Sequence, residues 1–293
     1  MMETRKKRWG DRKDGRLLRT REPMSVVETF ILVDRTGSTN YIQDKVEISK
    51  AEEYIRRKRK EGLAGFGLMH VMVASYVRLV SQMPAVNRFV SGQRVYARNR
   101  IEVNIDIKKE MTMEAPNTCV KIVLSREDTA EDVYRKMKAV IDEEKGGEAD
   151  SSFDAVAGTL AKFPKLIFKF SIWSLKLLDY FGGLPRFLLD VSPFHGSFFI
   201  TSMGSLGIPP VFHHLYNFGN VPIFCAIGPK RTAYELDRNG EMVRKKYMDY
   251  TFSTDERIAD GYYYAKAFRM MKQMLSDPEK LDLPPENVVE DID

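Results

Sequence analysis

The groups best suited to proton transfer in this 293-residue chain are its four histidines, and the groups best suited to nucleophilic or redox chemistry are its two cysteines. His213 and His214 stand side by side. Neighbours in an extended segment point to opposite sides, so one of the pair can enter a site while the other faces away, and imidazole titrates near neutral pH. His70 sits with Ser75 in a strongly apolar helical stretch, where both are expected as satisfied core groups. His70, His195, His213 and His214 have no Cys or carboxylate at ligand spacing, and no metal site is expected. Cys119 and Cys225 lie inside apolar, strand-like segments without CxxC spacing, the pattern of buried thiols rather than of a disulfide or a zinc site.

The elements that must position these groups follow from periodicity. Val46 and Ile48 alternate as in a strand that runs into a helix, with Ser49 as cap, Glu52 three residues on as its capping-box partner and Gly62 as the end. Residues 68–83 are apolar on most faces, which predicts a buried central helix. Val95-Tyr96-Ala97, then Ile101, Val103, Ile105 and Ile107, then Val120, Ile122 and Leu124 carry the period of two of strands. Residues 125–144 change to a charged amphipathic helix closed by Gly146-Gly147. Strands are expected again at 197–201, 222–227, 232–236 and 246–253, before a last helix at 261–275. Regular βαβ alternation is lacking, so an α+β fold is expected.

Residues 155–190 stand apart. They are strongly apolar, yet Lys162, Lys165, Lys169 and Lys176 fall on one face of a helix that Pro164 would open and Gly182-Gly183 would end. A helical lid or subunit contact is the expected role; contact with a membrane surface is the second reading.

The formal charge is +5, and residues 1–22, with nine Lys or Arg against four acids (9 − 4 = +5), account for all of it. The remainder is neutral on balance, which removes the argument from charge for nucleic-acid binding. The arm is expected to be solvated and to pack late on the domain. The chain has no run of eighteen apolar residues and no signal-peptide core, and a cytoplasmic protein is expected.

The segment YTFSTDERIADGYYYAKAFRMMKQMLSDPEKL, residues 250–281, resembles the closing part of dihydrolipoamide acyltransferase catalytic domains, the 2-oxo acid dehydrogenase acyltransferases. In that family a strand ends in Asp-His-Arg, and two residues, Asp-Gly, a helix and an Asp-Pro-Glu turn follow. Asp255, Glu256, Arg257, Asp260 and Gly261 occupy the corresponding places, so Glu256 stands where the family has its histidine. FFITSMGSLGI (198–208), IFCAIG (223–228) and the helix ending in Pro84-Ala85-Val86-Asn87 are similar to family segments in the same order. The resemblance covers roughly residues 42–282. It implies a chloramphenicol acetyltransferase-like two-layer sandwich: a mixed sheet with helices on one face, here with a helical insertion at 155–190. The domain would span 23–293 behind the arm at 1–22. No lipoyl or subunit-binding domain precedes the core in this sequence, so a standard role inside a 2-oxo acid dehydrogenase complex is not expected.

The resemblance also implies chemistry: a base deprotonates an acceptor that attacks an acyl-CoA thioester, and a Ser or Thr hydroxyl donates to the oxyanion. Thr201 and Ser202 are the candidate donors, and Asp260, Arg257 and Gly261 would support the site. Glu256 is the candidate base. Its ordinary pKa of about 4.3 suits it poorly to a thiol of about 8.5 unless burial raises it by roughly two units, as a channel lined by Phe199, Met203 and Phe212 would do. Otherwise a salt bridge to Arg257 or a lysine is expected. His213 and His214 are the alternative bases. The expected protein is a homotrimer that uses coenzyme A or acyl-CoA as substrate, carries no lipoyl group or metal, and acts on a small or lipidic acceptor. The rival is a trimeric relative that binds or regulates without catalysis.

Overall fold

The computed structural model describes residues 6–108, 117–146, 158 and 162–293. Two sheets organise it. β1 (Gly15–Leu17), β3 (Arg88–Ser91) and β4 (Arg94–Arg98) form a small antiparallel sheet in the order β1-β4-β3. The larger sheet has six strands: β2 (Thr39–Glu47), β5 (Ile101–Lys108), β6 (Asn117–Leu124), β7 (Phe198–Ser202), β8 (Ile223–Leu236) and β9 (Met242–Asp255), in the order β2-β9-β8-β7-β5-β6. It is mixed, because β7 runs parallel to both β5 and β8 while the other pairs are antiparallel.

The sequence alternation decides which face is covered. Ile101, Val103, Ile105, Val120, Ile122, Phe198, Ile200, Cys225, Met248 and Phe252 are buried in one cluster beneath the helices. α2 (Ser49–Lys60), α3 (Leu68–Gln82), α4 (Ala130–Gly146) and α7 (Gly261–Ser276) supply the other half of that cluster. α3 is apolar nearly all round because it packs against both α4 and α7. The opposite face has a smaller core of Phe199, Leu215, Val221 and Phe224. The chain between β7 and β8 is strapped across that face: Thr251 donates to the Val211 carbonyl at 2.7 Å, and Ser253 donates to that of His213. This is an α+β sandwich with helices on one face of a mixed sheet.

Several local expectations are corrected. Ser49 does not cap α2: its hydroxyl accepts from the Lys246 amide, and Glu52 is engaged by Lys230 and Lys246, so tertiary partners displace the capping box. Residues 232–236 continue β8, whose hairpin with β9 runs out through Leu236 and Met242. α1 (Pro23–Ile31), β1 and β3 appear where no periodicity announced them. The basic arm is not merely solvated. Arg12 and Asp14 are buried and bonded to each other at 2.9 Å, and Thr20 is tied to Asp293 at the chain's end. α5 (Lys165–Tyr180) and α6 (Arg186–Val191) form the insertion, and α5 follows Pro164 and closes before Gly182, whose φ is +70°. Gly147 and residues 155–157 and 159–161 lie outside the described residues, as does Arg5 of the arm.

Candidate active site

β9 ends in a buried ion pair. Both Asp255 oxygens are gripped by Arg257, Nε to Oδ1 at 2.8 Å and Nη2 to Oδ2 at 2.7 Å, the bidentate geometry that guanidinium favours. Arg35 approaches the same carboxylate at 3.9 Å and donates to the Tyr216 and Val90 carbonyls. Burial lowers the pKa of Arg35 to about 10, against the pull of Asp255. Arg257 also donates to the carbonyl of Leu32, and Tyr264 of α7 donates to that of Asp255. The clamp therefore ties β9, the segment before β2 and α7 together. Sequence reasoning missed Arg35, which lies in a polar turn without periodicity.

Glu256 projects from this clamp. Its amide donates to the Ser38 carbonyl at 3.0 Å, and its Oε2 accepts from the Asn40 amide at 2.8 Å. The expected salt bridge to Arg257 is not formed, because Asp255 occupies that guanidinium. Asp260 is exposed and acts as the N-cap of α7, accepting from the Tyr263 amide at 2.7 Å. Gly261, the first residue of α7, would have open space around an added Cβ.

His213 turns inward and His214 outward. The His213 ring stacks on Phe224 at 4.2 Å, and its Nε2 is buried without a hydrogen-bond partner. Burial, and then His214, lower its pKa. His214 meets the edge of Tyr216 at 5.4 Å. The expected channel of Phe199, Met203 and Phe212 around Glu256 is absent among the described residues. Phe199 stacks on Phe224 at 4.5 Å inside the small core, Phe212 is exposed against the edge of Tyr41, and Met203 lies beyond the end of β7.

Thr201 and Ser202 are not brought to Glu256 within one chain. Register pairs Thr201 with Ala226 and Ala226 with Thr251, five residues before Glu256 on β9. At about 3.3 Å per residue and about 4.8 Å per strand, the two sites are roughly 20 Å apart. Thr201 is buried on the strapped face, whereas Ser202 faces a cavity of about 520 Å3 between the sheet end and the start of α3. His70, Gly204, Gly228 and Lys230 share that cavity. His70 is not buried as deeply as expected: its Nδ1 accepts from the Gly67 amide at 3.1 Å, and burial lowers its pKa to about 4. Because Nδ1 is occupied, the neutral ring carries its proton on Nε2.

A second histidine constellation is sealed in the interior. His195 Nδ1 lies 2.8 Å from Ser192 Oγ, and its Nε2 lies 3.4 Å from Asp179, which also binds Arg12 at 2.8 Å. Although burial alone would raise it, the pKa of Asp179 is held well below the usual carboxylate range by His195 and Arg12. Neither Ser192 nor His195 lines the Ser202 cavity or the 230 Å3 cavity beside Arg35, Arg257 and Asp179. The cluster anchors the end of α5. No group of three or more His, Cys, Asp or Glu among the described residues could hold a metal.

The family model described as 2-oxoacid dehydrogenases acyltransferase (catalytic domain) matches residues 190–283. No curated protein matches the chain by sequence. Among solved structures, a probable dihydrolipoamide acetyltransferase from Listeria monocytogenes is similar at TM-score 0.55 and 16% identity, over 92% of this chain and 98% of that one. A chloramphenicol acetyltransferase is similar at 0.53 and 11%, over 89% and 99%. A truncated catalytic core of the 2-oxoacid dehydrogenase multienzyme complex from Thermoplasma acidophilum is similar at 0.52 and 12%, over 90% and 99%. The chain thus has the chloramphenicol acetyltransferase-like fold, and between residues 190 and 283 it matches the catalytic domain of the 2-oxoacid dehydrogenase acyltransferases.

Proposed function

We propose that this protein is a CoA-dependent acyltransferase that works as a homotrimer, with each active site assembled from two chains. The observation that supports this reading is the buried Asp255–Arg257 clamp around Glu256, in a frame whose resemblance to the family's Asp-His-Arg makes Glu256 the counterpart of its histidine. Ser202 and Glu256 stand at opposite ends of the sheet, so a site that uses both draws one from each of two chains. The cavity beside Ser202 has the size of a small-molecule site and is assigned to the thioester end of acyl-CoA. There the Ser202 hydroxyl donates to the oxyanion. Glu256 takes the proton of a thiol, hydroxyl or amine acceptor, which attacks the thioester carbonyl and expels CoA as a thiolate. His213 is the alternative base.

The partial exposure of Glu256 and its neutral amide partner favour a second reading, a trimeric scaffold that binds acyl-CoA without turnover. A CoA-release assay with a panel of acyl-CoAs and acceptors separates the two. Under the enzyme reading wild type turns over, and Glu256→Gln loses at least about a hundredfold, the size of a general-base contribution. If His213→Ala takes that loss instead, the base is His213. Binding of acyl-CoA without CoA release by wild type makes the protein a scaffold.

A further inference from the structure

We propose that the insertion helix α5, together with α1, docks this protein onto an anionic lipid surface. α5 exposes a ridge of Leu166, Phe170, Trp173 and Leu177, spaced i, i+4, i+7 and i+11 on one stripe. Leu166, at 82% exposed, leads this ridge. The ridge points away from the body, because Ile172, Leu175 and the buried Asp179 take the opposite side. Lys165, Lys169 and Lys176 run along its flank, and Lys162 precedes it. None of these four lysines has an ion pair or side-chain hydrogen bond among the described residues. The only acid on α5, Asp179, is already engaged by Arg12.

α1 extends the surface. Met24, Val27 and Ile31 are exposed at i, i+3 and i+7, and Phe30 lines a cavity of about 610 Å3 with Trp9, Tyr180 and Phe181. Both tryptophans of the chain are exposed, Trp173 at 56% on α5 and Trp9 at 88% beside Tyr180 and Phe181 at the end of that helix. Tryptophan prefers the boundary between hydrocarbon and water. No helix among the described residues is long and apolar enough to cross a bilayer. An amphipathic helix with an apolar ridge and a lysine flank instead lies in the headgroup plane, its cations over anionic lipid. A second copy of the chain meeting this ridge across a twofold would bring a like set of lysines against it, so lipid is the occupant the charges favour.

The end of α5 is held so that the ridge is presented rather than loose. Asp179 is locked to Arg12 and His195, and the Tyr180 carbonyl sits where a Cβ on Gly92 would come within 2.5 Å of it.

Full-length protein is mixed with vesicles of phosphatidylcholine, with or without phosphatidylserine, and is followed by sedimentation and by tryptophan fluorescence. Pelleting with the phosphatidylserine vesicles alone is expected, with a blue shift, and added salt weakens it. Leu166→Ser/Trp173→Ser and Lys165→Glu/Lys169→Glu are each expected to lose at least about tenfold in apparent affinity, at unchanged elution volume. Absence of pelleting, or equal pelleting with both vesicle types, overturns the proposal. So does a concentration-dependent blue shift without lipid that the Leu166→Ser/Trp173→Ser variant abolishes together with a change in oligomeric size, since the ridge would then be covered by a second copy.

Discussion

Arg257 holds both oxygens of Asp255 two residues back along the chain, with the carboxylate fully buried and the guanidinium nearly so. Removing one partner of such a pair leaves an uncompensated buried charge. Asp255→Asn, which strands both Arg257 and Arg35, is expected to lower unfolding free energy by about 3–5 kcal/mol. Urea denaturation at neutral pH measures it, and a loss below about 1 kcal/mol would contradict the buried clamp.

Asn40 orients the group that the clamp presents. Asn40→Ala removes the donor to Glu256 without touching the ion pair. Under the enzyme reading kcat is expected to fall about tenfold with KM little changed, the pattern for a contact that matters to the transition state. Steady-state kinetics beside Glu256→Gln checks it: an equal loss in both variants would make Asn40 more than a positioning residue.

Acid is expected to destabilise the fold through His70. Its pKa falls from 6.5 to about 4 on folding, so between those values the unfolded chain binds more protons. Stability is full above pH 6.5 and declines as pH falls toward 4. Burial lowers the pKa values of buried His195 and half-buried His213 as well, and they act in the same direction. His70→Asn keeps an acceptor for the Gly67 amide and is expected to reduce the slope of unfolding free energy against pH in this window. Denaturant melts at several pH values would show it, and an unchanged slope would refute it.

Gly219 is fixed by two constraints at once. Its φ is +81°, and a Cβ there would lie 2.0 Å from the Phe194 carbonyl oxygen. Gly62 has a φ of +104° but no atom within 4 Å of such a Cβ. Gly62→Ala therefore meets only backbone strain, about 1 kcal/mol or somewhat more, and Gly219→Ala is expected to lower the melting temperature distinctly further. Equal shifts in thermal unfolding would mean that the Phe194 turn yields freely.

The sequence by itself determined the parts of this protein that depend on local pattern. Alternation in 101–107 and 120–124 already separated the helix-covered face of the sheet from the other. The apolar surround of α3 marked it as central, and the DERIADG frame placed the end of β9 and the start of α7. Only the tertiary structure decided which groups meet. Asp255, rather than Glu256, takes Arg257, because its carboxylate is carried inside the turn while that of Glu256 faces Asn40. Ser49 and Glu52 exchange a local cap for partners on β8 and β9. Arg35 and Arg12, in polar stretches without period, become buried ion-pair members because distant carboxylates await them. The roughly 20 Å between Ser202 and Glu256 was equally illegible, since strand order and register set it, and neither is written in the spacing of residues along the chain.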